Sequence, residues 1–95
     1  MIETHLALKC LAALAHDVRL QIYRTLAVAG AEGKSPSQMV DSLRISGATL
    51  SFHLKELSNA NLIDQRREGK QIFYTVNATQ MDDLMEYLAL NCRTG

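Results

Sequence analysis

Between Pro36 and Val76 the hydrophobic period of the chain switches from helical to strand-like, and that switch limits the folds open to it. Ser35-Pro36 places a capping hydroxyl before a proline suited to a first helical turn, and Met39, Val40 and Leu43 supply a short apolar face over 36–43. After Arg44-Ile45, Ser46 can cap a second helix. Its apolar stripe is Leu50, Leu54 and Leu57, and it ends near Asn59-Ala60-Asn61. Two strand-like runs follow, Leu62 to Arg67 and Gln71 to Val76, and Glu68-Gly69-Lys70 between them predicts a hairpin.

Two short helices joined by a tight turn, with a hairpin directly after the second, form a winged helix-turn-helix, which sets its second helix into the major groove of duplex DNA. The flanks complete it. Leu6, Cys10, Leu11 and Leu14 recur at helical spacing over 4–15; His16-Asp17 interrupts, and Val18, Leu20, Ile22, Tyr23, Leu26 and Ala27 resume the pattern over 17–29. Gly30 to Pro36 has loop composition. Asn77 or Thr79 can cap a last helix carrying Met81, Leu84, Met85, Leu88 and Leu90, with Tyr87 alongside, out to about Asn91. The expected fold is mainly α with a small β-hairpin, in the order α1-α2-α3-α4-β1-β2-α5, as one domain over residues 1–95.

With 95 residues, 47% of them apolar, one such domain buries only a modest core, and pairing with a second copy would help close it. Lys9, His16, Asp17, Arg19 and Arg24 interrupt the apolar N-terminal half, so no membrane span is expected. The start does not read as a signal peptide: only Glu3 precedes the apolar stretch, and charged helix stands where a cleavage site should be. A cytoplasmic protein is expected. Cys10 and Cys92 lie at opposite ends, in neither a disulfide framework nor a zinc-finger spacing, and should be thiols in a reducing cytosol. The formal net charge is zero, yet Lys34 to Lys70 holds six basic residues against four acidic ones. The positive excess is local to the middle.

With Leu50, Leu54 and Leu57 facing inward, the second helix of the pair turns Ala48, Ser51, Phe52, Lys55 and Asn59 outward. Ser46, Gly47, Ala48, Thr49 and Ser51 are small enough to let the N-terminal turn approach base edges, and hydroxyls can bond bases or phosphates. Phe52 needs a partner: a thymine methyl, a neighbouring subunit or Ile45. His53 lies at the edge of the inner stripe and suits a hydrogen bond to a neighbouring turn or a phosphate. Lys55 suits a phosphate contact. At the hairpin, Arg66, Arg67 and Lys70 surround Gly69 as the cations of a wing.

Leu14-Ala15-His16-Asp17-Val18-Arg19-Leu20-Gln21-Ile22, then Ser51-Phe52-His53-Leu54-Lys55-Glu56-Leu57, then Arg66-Arg67-Glu68-Gly69-Lys70 and Phe73-Tyr74 together resemble the ArsR/SmtB family of bacterial repressors over nearly the whole chain. The resemblance implies a homodimer paired through α1 and α5, bound to an inverted-repeat operator and released by an inducer. The family's cysteine-bearing third helix has no counterpart, because Ser35 to Leu43 contains neither Cys nor His, and no histidine follows His53. Zinc, cadmium or nickel sensing at those places is not expected. The tail Tyr87-Leu88-Ala89-Leu90-Asn91-Cys92-Arg93 is similar to that of arsenite-responsive members ending in adjacent cysteines, but Arg93 stands where the second would be.

No cofactor is required by this reading. Three inducer chemistries stay open: trivalent arsenic or antimony held by Cys10 and Cys92, oxidation of those thiols, or an organic ligand in a dimer pocket; the plain alternative for the cysteines is a small buried residue at Cys10 and an idle thiol at Cys92. An enzyme is not expected, since no nucleophile triad or phosphate loop appears and Asp82-Asp83, being adjacent, point apart on a helix. The alternative from another class is a winged-helix module that binds protein, with Phe52 as its anchor.

Overall fold

The computed structural model describes the backbone of residues 2–94 and the side chains of residues 2–90. Five helices and a hairpin run in the expected order: α1 Thr4–Leu14, α2 Asp17–Ala29, α3 Pro36–Leu43, α4 Gly47–Asn59, β1 Ile63–Glu68, β2 Gln71–Val76 and α5 Ala78–Thr94.

Side-chain caps start most of the helices. Ser35 and Gln38 form a capping box at α3, with Pro36 in the first turn, and Ser46 Oγ accepts from the Thr49 N–H at 3.1 Å to start α4. Asn77, rather than Thr79, caps α5 by accepting from Gln80 N–H at 3.2 Å. Between α1 and α2 the cap is an imidazole: His16 Nδ1 accepts from Val18 N–H at 3.2 Å. A left-handed Arg44 (φ 56°) closes α3 and makes the turn into α4.

The strands pair antiparallel from Ile63↔Val76 to Glu68↔Gln71. Gly69 and Lys70 make the two-residue loop. Its first position carries a positive φ of 63°, which glycine adopts without a Cβ clash.

The core gathers Cys10, Ile22, Leu26, Met39, Leu50, Leu57, Leu62 and Leu84, all essentially inaccessible. Every helix and the start of the hairpin contributes to it. Such a shared core fixes the angle at which α4 stands out from the body.

The 30–36 stretch is more ordered than a plain loop. Gly30–Glu32 forms a 3-10 turn, and Lys34 pairs with Tyr74 through N–H···O bonds of 3.0 and 2.8 Å. A Cβ on Gly33 (φ 73°) would collide with the Tyr74 carbonyl oxygen and the Thr75 methyl, so only glycine lets the turn lie against β2.

Candidate nucleic-acid interface

The stripe Leu50, Leu54 and Leu57 is buried, and the opposite side of α4 is open. Ala48, Ser51, Phe52, Lys55 and Asn59 are exposed, as are Ser46, Gly47 and Thr49 at its start. The hydroxyl of Ser46 serves the helix itself: it accepts from Thr49 N–H and donates to Thr49 Oγ1 at 2.9 Å.

Phe52 is 56% exposed, with its ring edge-on to His53 at 5.4 Å. Together with Lys9, Ala12, Ala13, Arg19 and Glu56 it lines a shallow groove between α4 and α1. It is an apolar ring on the α1-side flank of an otherwise small and polar surface.

His53 does not belong with the outward residues. It is 6% exposed, and its Nδ1 lies 3.3 Å from Arg19 NH1. Arg19 in turn donates through Nε to the Ala13 carbonyl at 2.7 Å, and the His16 ring stands 4.6 Å from that of His53. Burial, then the charges of His16 and Arg19, hold the His53 pKa below its ordinary 6.5, with Glu56 opposing. Of the two partners expected of His53, a neighbouring turn or a phosphate, the structure supplies the first, and the expected phosphate contact is corrected to one with Arg19 of α2, against which the ring packs inward.

A second correction falls on the wing. Arg66 reaches back instead of outward, donating to the carbonyls of Ala31 (2.8 Å) and Glu32 (3.0 Å), pairing with Glu68 (3.4 Å) and lying over the Phe73 ring at 5.3 Å. Its five donors suit a pair of converging carbonyls. Arg67 and Lys70 remain exposed at the tip.

A helix-turn-helix domain model matches residues 14–66. A biofilm growth-associated repressor of Agrobacterium fabrum is 40% identical over 76 residues, covering 79% of this chain and 62% of its own length. This chain thus spans less than two thirds of that relative. The transcriptional activator HlyU of Vibrio cholerae is 32% identical over 82 residues, covering 86% of this chain and 73% of its own. Its solved structure superposes with a TM-score of 0.73 at 30% identity, over 96% of this chain and 99% of that one. A homodimeric winged helix-turn-helix DNA-binding domain from Mycobacterium bovis, described as a possible ArsR-family transcriptional regulator, superposes with a TM-score of 0.69 at 25% identity, covering 95% and 78% of the two chains.

The chain belongs to the ArsR/SmtB family of winged helix-turn-helix regulators.

As an ArsR/SmtB protein it carries the family's winged helix-turn-helix domain, and the relatives it matches are described as transcriptional regulators. What varies among regulators is the trigger, and here the surroundings of Cys10 bear on its two readings, thiol ligand or small buried residue. Cys10, a candidate thiol ligand, is fully buried on the inner face of α1 with Ala7 and Ala13. Its Sγ donates to the Ala60 carbonyl and accepts from Gln80 Nε2, both at 3.4 Å. Burial pushes the Cys10 thiol up from its ordinary 9.0, and the Gln80 hydrogen bond only partly opposes this. As placed, it is a packed thiol and not an open ligand. Cys92, the other candidate, lies outside the described side chains. Among the described residues no group of three or more His, Cys, Asp or Glu could hold a metal ion, and no helix is long and apolar enough to cross a membrane.

On the outer faces of the ArsR/SmtB fold's first and last helices, Leu8 (60% exposed), Leu11 and Met85 (60% exposed) form apolar surface. The two helices meet at a 2.8 Å bond between the Thr4 and Tyr87 hydroxyls. An open cleft of about 750 Å³ runs between α2 and α3, lined by Arg24, Val28, Lys34, Gln38 and Leu43 among others, and no residue of α4 or the hairpin borders it.

Proposed function

We propose that the chain is a repressor that binds an inverted-repeat operator as a homodimer and leaves it when an inducer binds. The observation that carries the reading is the split of α4 into a fully buried stripe and an exposed face of small and polar residues, with free cations on the adjoining wing. In this reading Gly47, Ala48, Thr49 and Ser51 approach base edges, Lys55 meets a phosphate, and Arg67 and Lys70 reach the backbone or minor groove. Phe52 supplies an apolar contact at the groove edge. A repressor acting on DNA in a bacterium works in the cytoplasm.

The dimer pairs α1 and α5 of each copy. Support comes from Leu8, Leu11 and Met85, which are apolar and exposed on adjoining helices, and from the homodimer formed by the Mycobacterium bovis relative. Two-fold symmetry in the protein then matches inverted-repeat symmetry in the DNA, with half-sites about one helical turn apart.

For the inducer, the packing of Cys10 weighs against chemistry that needs an accessible thiolate. Trivalent arsenic or antimony bound by Cys10 and Cys92, and oxidation of the two thiols, both require α1 to open. An organic ligand in a pocket of the dimer does not. A gel-shift with duplex DNA from upstream of its own gene, repeated with arsenite, peroxide and zinc, tests both parts. Binding at low salt is expected. If Cys92→Ser leaves release by arsenite or peroxide unchanged, thiol sensing at this position is wrong; absence of binding at low salt removes the autoregulatory version.

A further inference from the structure

Arg19 joins three elements. It stands in the first turn of α2, donates through Nε to the carbonyl of Ala13 at the end of α1, and reaches Nδ1 of His53 on α4 through NH1. A guanidinium carries donors only, so Nδ1 of His53 must offer a lone pair. The ring is then neutral, with its proton on Nε2. His16 repeats the pattern, since its Nδ1 accepts the Val18 N–H. Two imidazoles 4.6 Å apart and one guanidinium thus share a cluster whose hydrogen bonds need both rings unprotonated at Nδ1.

Protonation of His53 would place an N–H against the guanidinium, losing the bond and setting like charges together. The groups facing His53 are Arg19 from α2, His16 from the α1–α2 junction and Glu56 from its own helix; Lys9 of α1 lines the adjoining groove. One acidic group faces several basic ones.

We propose that Arg19 and His53 are positioning residues that fix the angle of α4 against α1, and that DNA is bound in the state with His53 neutral, so that acidification weakens binding through this contact. The inference rests on the reading of α4 as the helix that enters the groove. If α1 lies at the dimer contact, its angle to α4 sets the separation of the two reading helices, and a tilt changes the half-site spacing that the dimer spans.

The test uses duplex DNA that the wild-type protein selects from a random-sequence pool at about pH 7.5 and constant ionic strength. Between about pH 7.5 and about 5.5 the wild type should lose affinity several-fold, as expected when the complex disfavours the proton on His53 more than the free protein does. His53→Asn keeps an acceptor at the position of Nδ1 and does not titrate; it should bind nearly as well as wild type and lose nothing on acidification. His53→Leu, without an acceptor, should bind about tenfold more weakly at every pH. General charging acts the other way, because added positive charge on the surface strengthens attraction to phosphate. The sign therefore identifies the contact.

Should the leucine variant fail to fold, the wild-type and asparagine profiles decide. A flat or rising wild-type profile, or a wild-type profile in the asparagine variant, overturns the proposal while leaving the DNA reading intact. Failure of the wild type to select any duplex overturns the reading of α4, and the proposal with it.

Discussion

The Arg66 guanidinium donates to the carbonyl oxygen of Ala31 at 2.8 Å, tying the wing to the turn that ends α2. Glu32 and Phe73 complete its surroundings. The three cations of the hairpin therefore divide into one anchor and two exposed tips.

Arg66→Ala should loosen the hairpin, at a cost on the order of 1 kcal/mol after discounting for a side chain that is 41% exposed. Arg67→Ala and Lys70→Ala should leave stability within about 0.5 kcal/mol, weaken duplex binding and each lower the steepness of its salt dependence by about one phosphate contact per protomer. Urea unfolding and fluorescence anisotropy separate the two outcomes. A stability loss at Arg67 equal to that at Arg66 would contradict the division.

Phe52→Ala should cost little stability, since the ring is already 56% exposed, while lowering affinity for the selected duplex. If the ring reads a thymine methyl, discrimination at one position of the site should relax by about 1–3 kcal/mol. Competition among duplexes that differ at single positions reports this. Unchanged affinity for all of them would assign Phe52 to the α1 groove alone.

Stability should be greatest near neutral pH. His53 is held below 6.5, so its contribution is complete above that value and falls as the pH drops and the unfolded chain takes up the proton. Cys10 and Tyr23 are raised from 9.0 and 10.0, chiefly by burial. Their contributions are complete below those values and fall as the pH rises. Urea midpoints should decline on both sides, and Cys10→Ala should remove part of the alkaline decline. A midpoint constant to about pH 10.5 would contradict the burial of both groups.

Leu8→Glu or Met85→Glu should convert dimer to monomer in sedimentation equilibrium, because each puts a charge into the proposed apolar contact. Retention of the dimer in both variants would place the interface elsewhere.

Much of this arrangement is legible in the residues themselves. Ser35, Ser46 and Asn77 mark helix starts because a side-chain oxygen beside unpaired N–H groups is a local signal. Gly69 marks the hairpin loop for a similar reason. The Lys34–Tyr74 pairing leaves no such trace, since a single bridge has no period to detect. Helical spacing put His53 at the edge of the stripe, and only the approach of Arg19 from another helix turns that edge inward. Arg66 reads from the sequence as a tip cation because strand alternation does not show that a long side chain folds back to a carbonyl pair thirty-odd residues earlier. Cys10 could be placed on α1, but its partners Ala60 and Gln80 come from distant segments. Local chemistry was visible, and long-range partners were not.

The central claim is that α4 and the wing bind duplex DNA through bases and phosphates, and the salt dependence of binding to the selected duplex tests it most directly. With Lys55, Arg67 and Lys70 each meeting one phosphate in both protomers, the logarithm of affinity should fall against the logarithm of salt concentration with a slope of about −5. Affinity that does not change with salt, or no binding at low salt, would contradict the account and favour a winged-helix module that recognises protein.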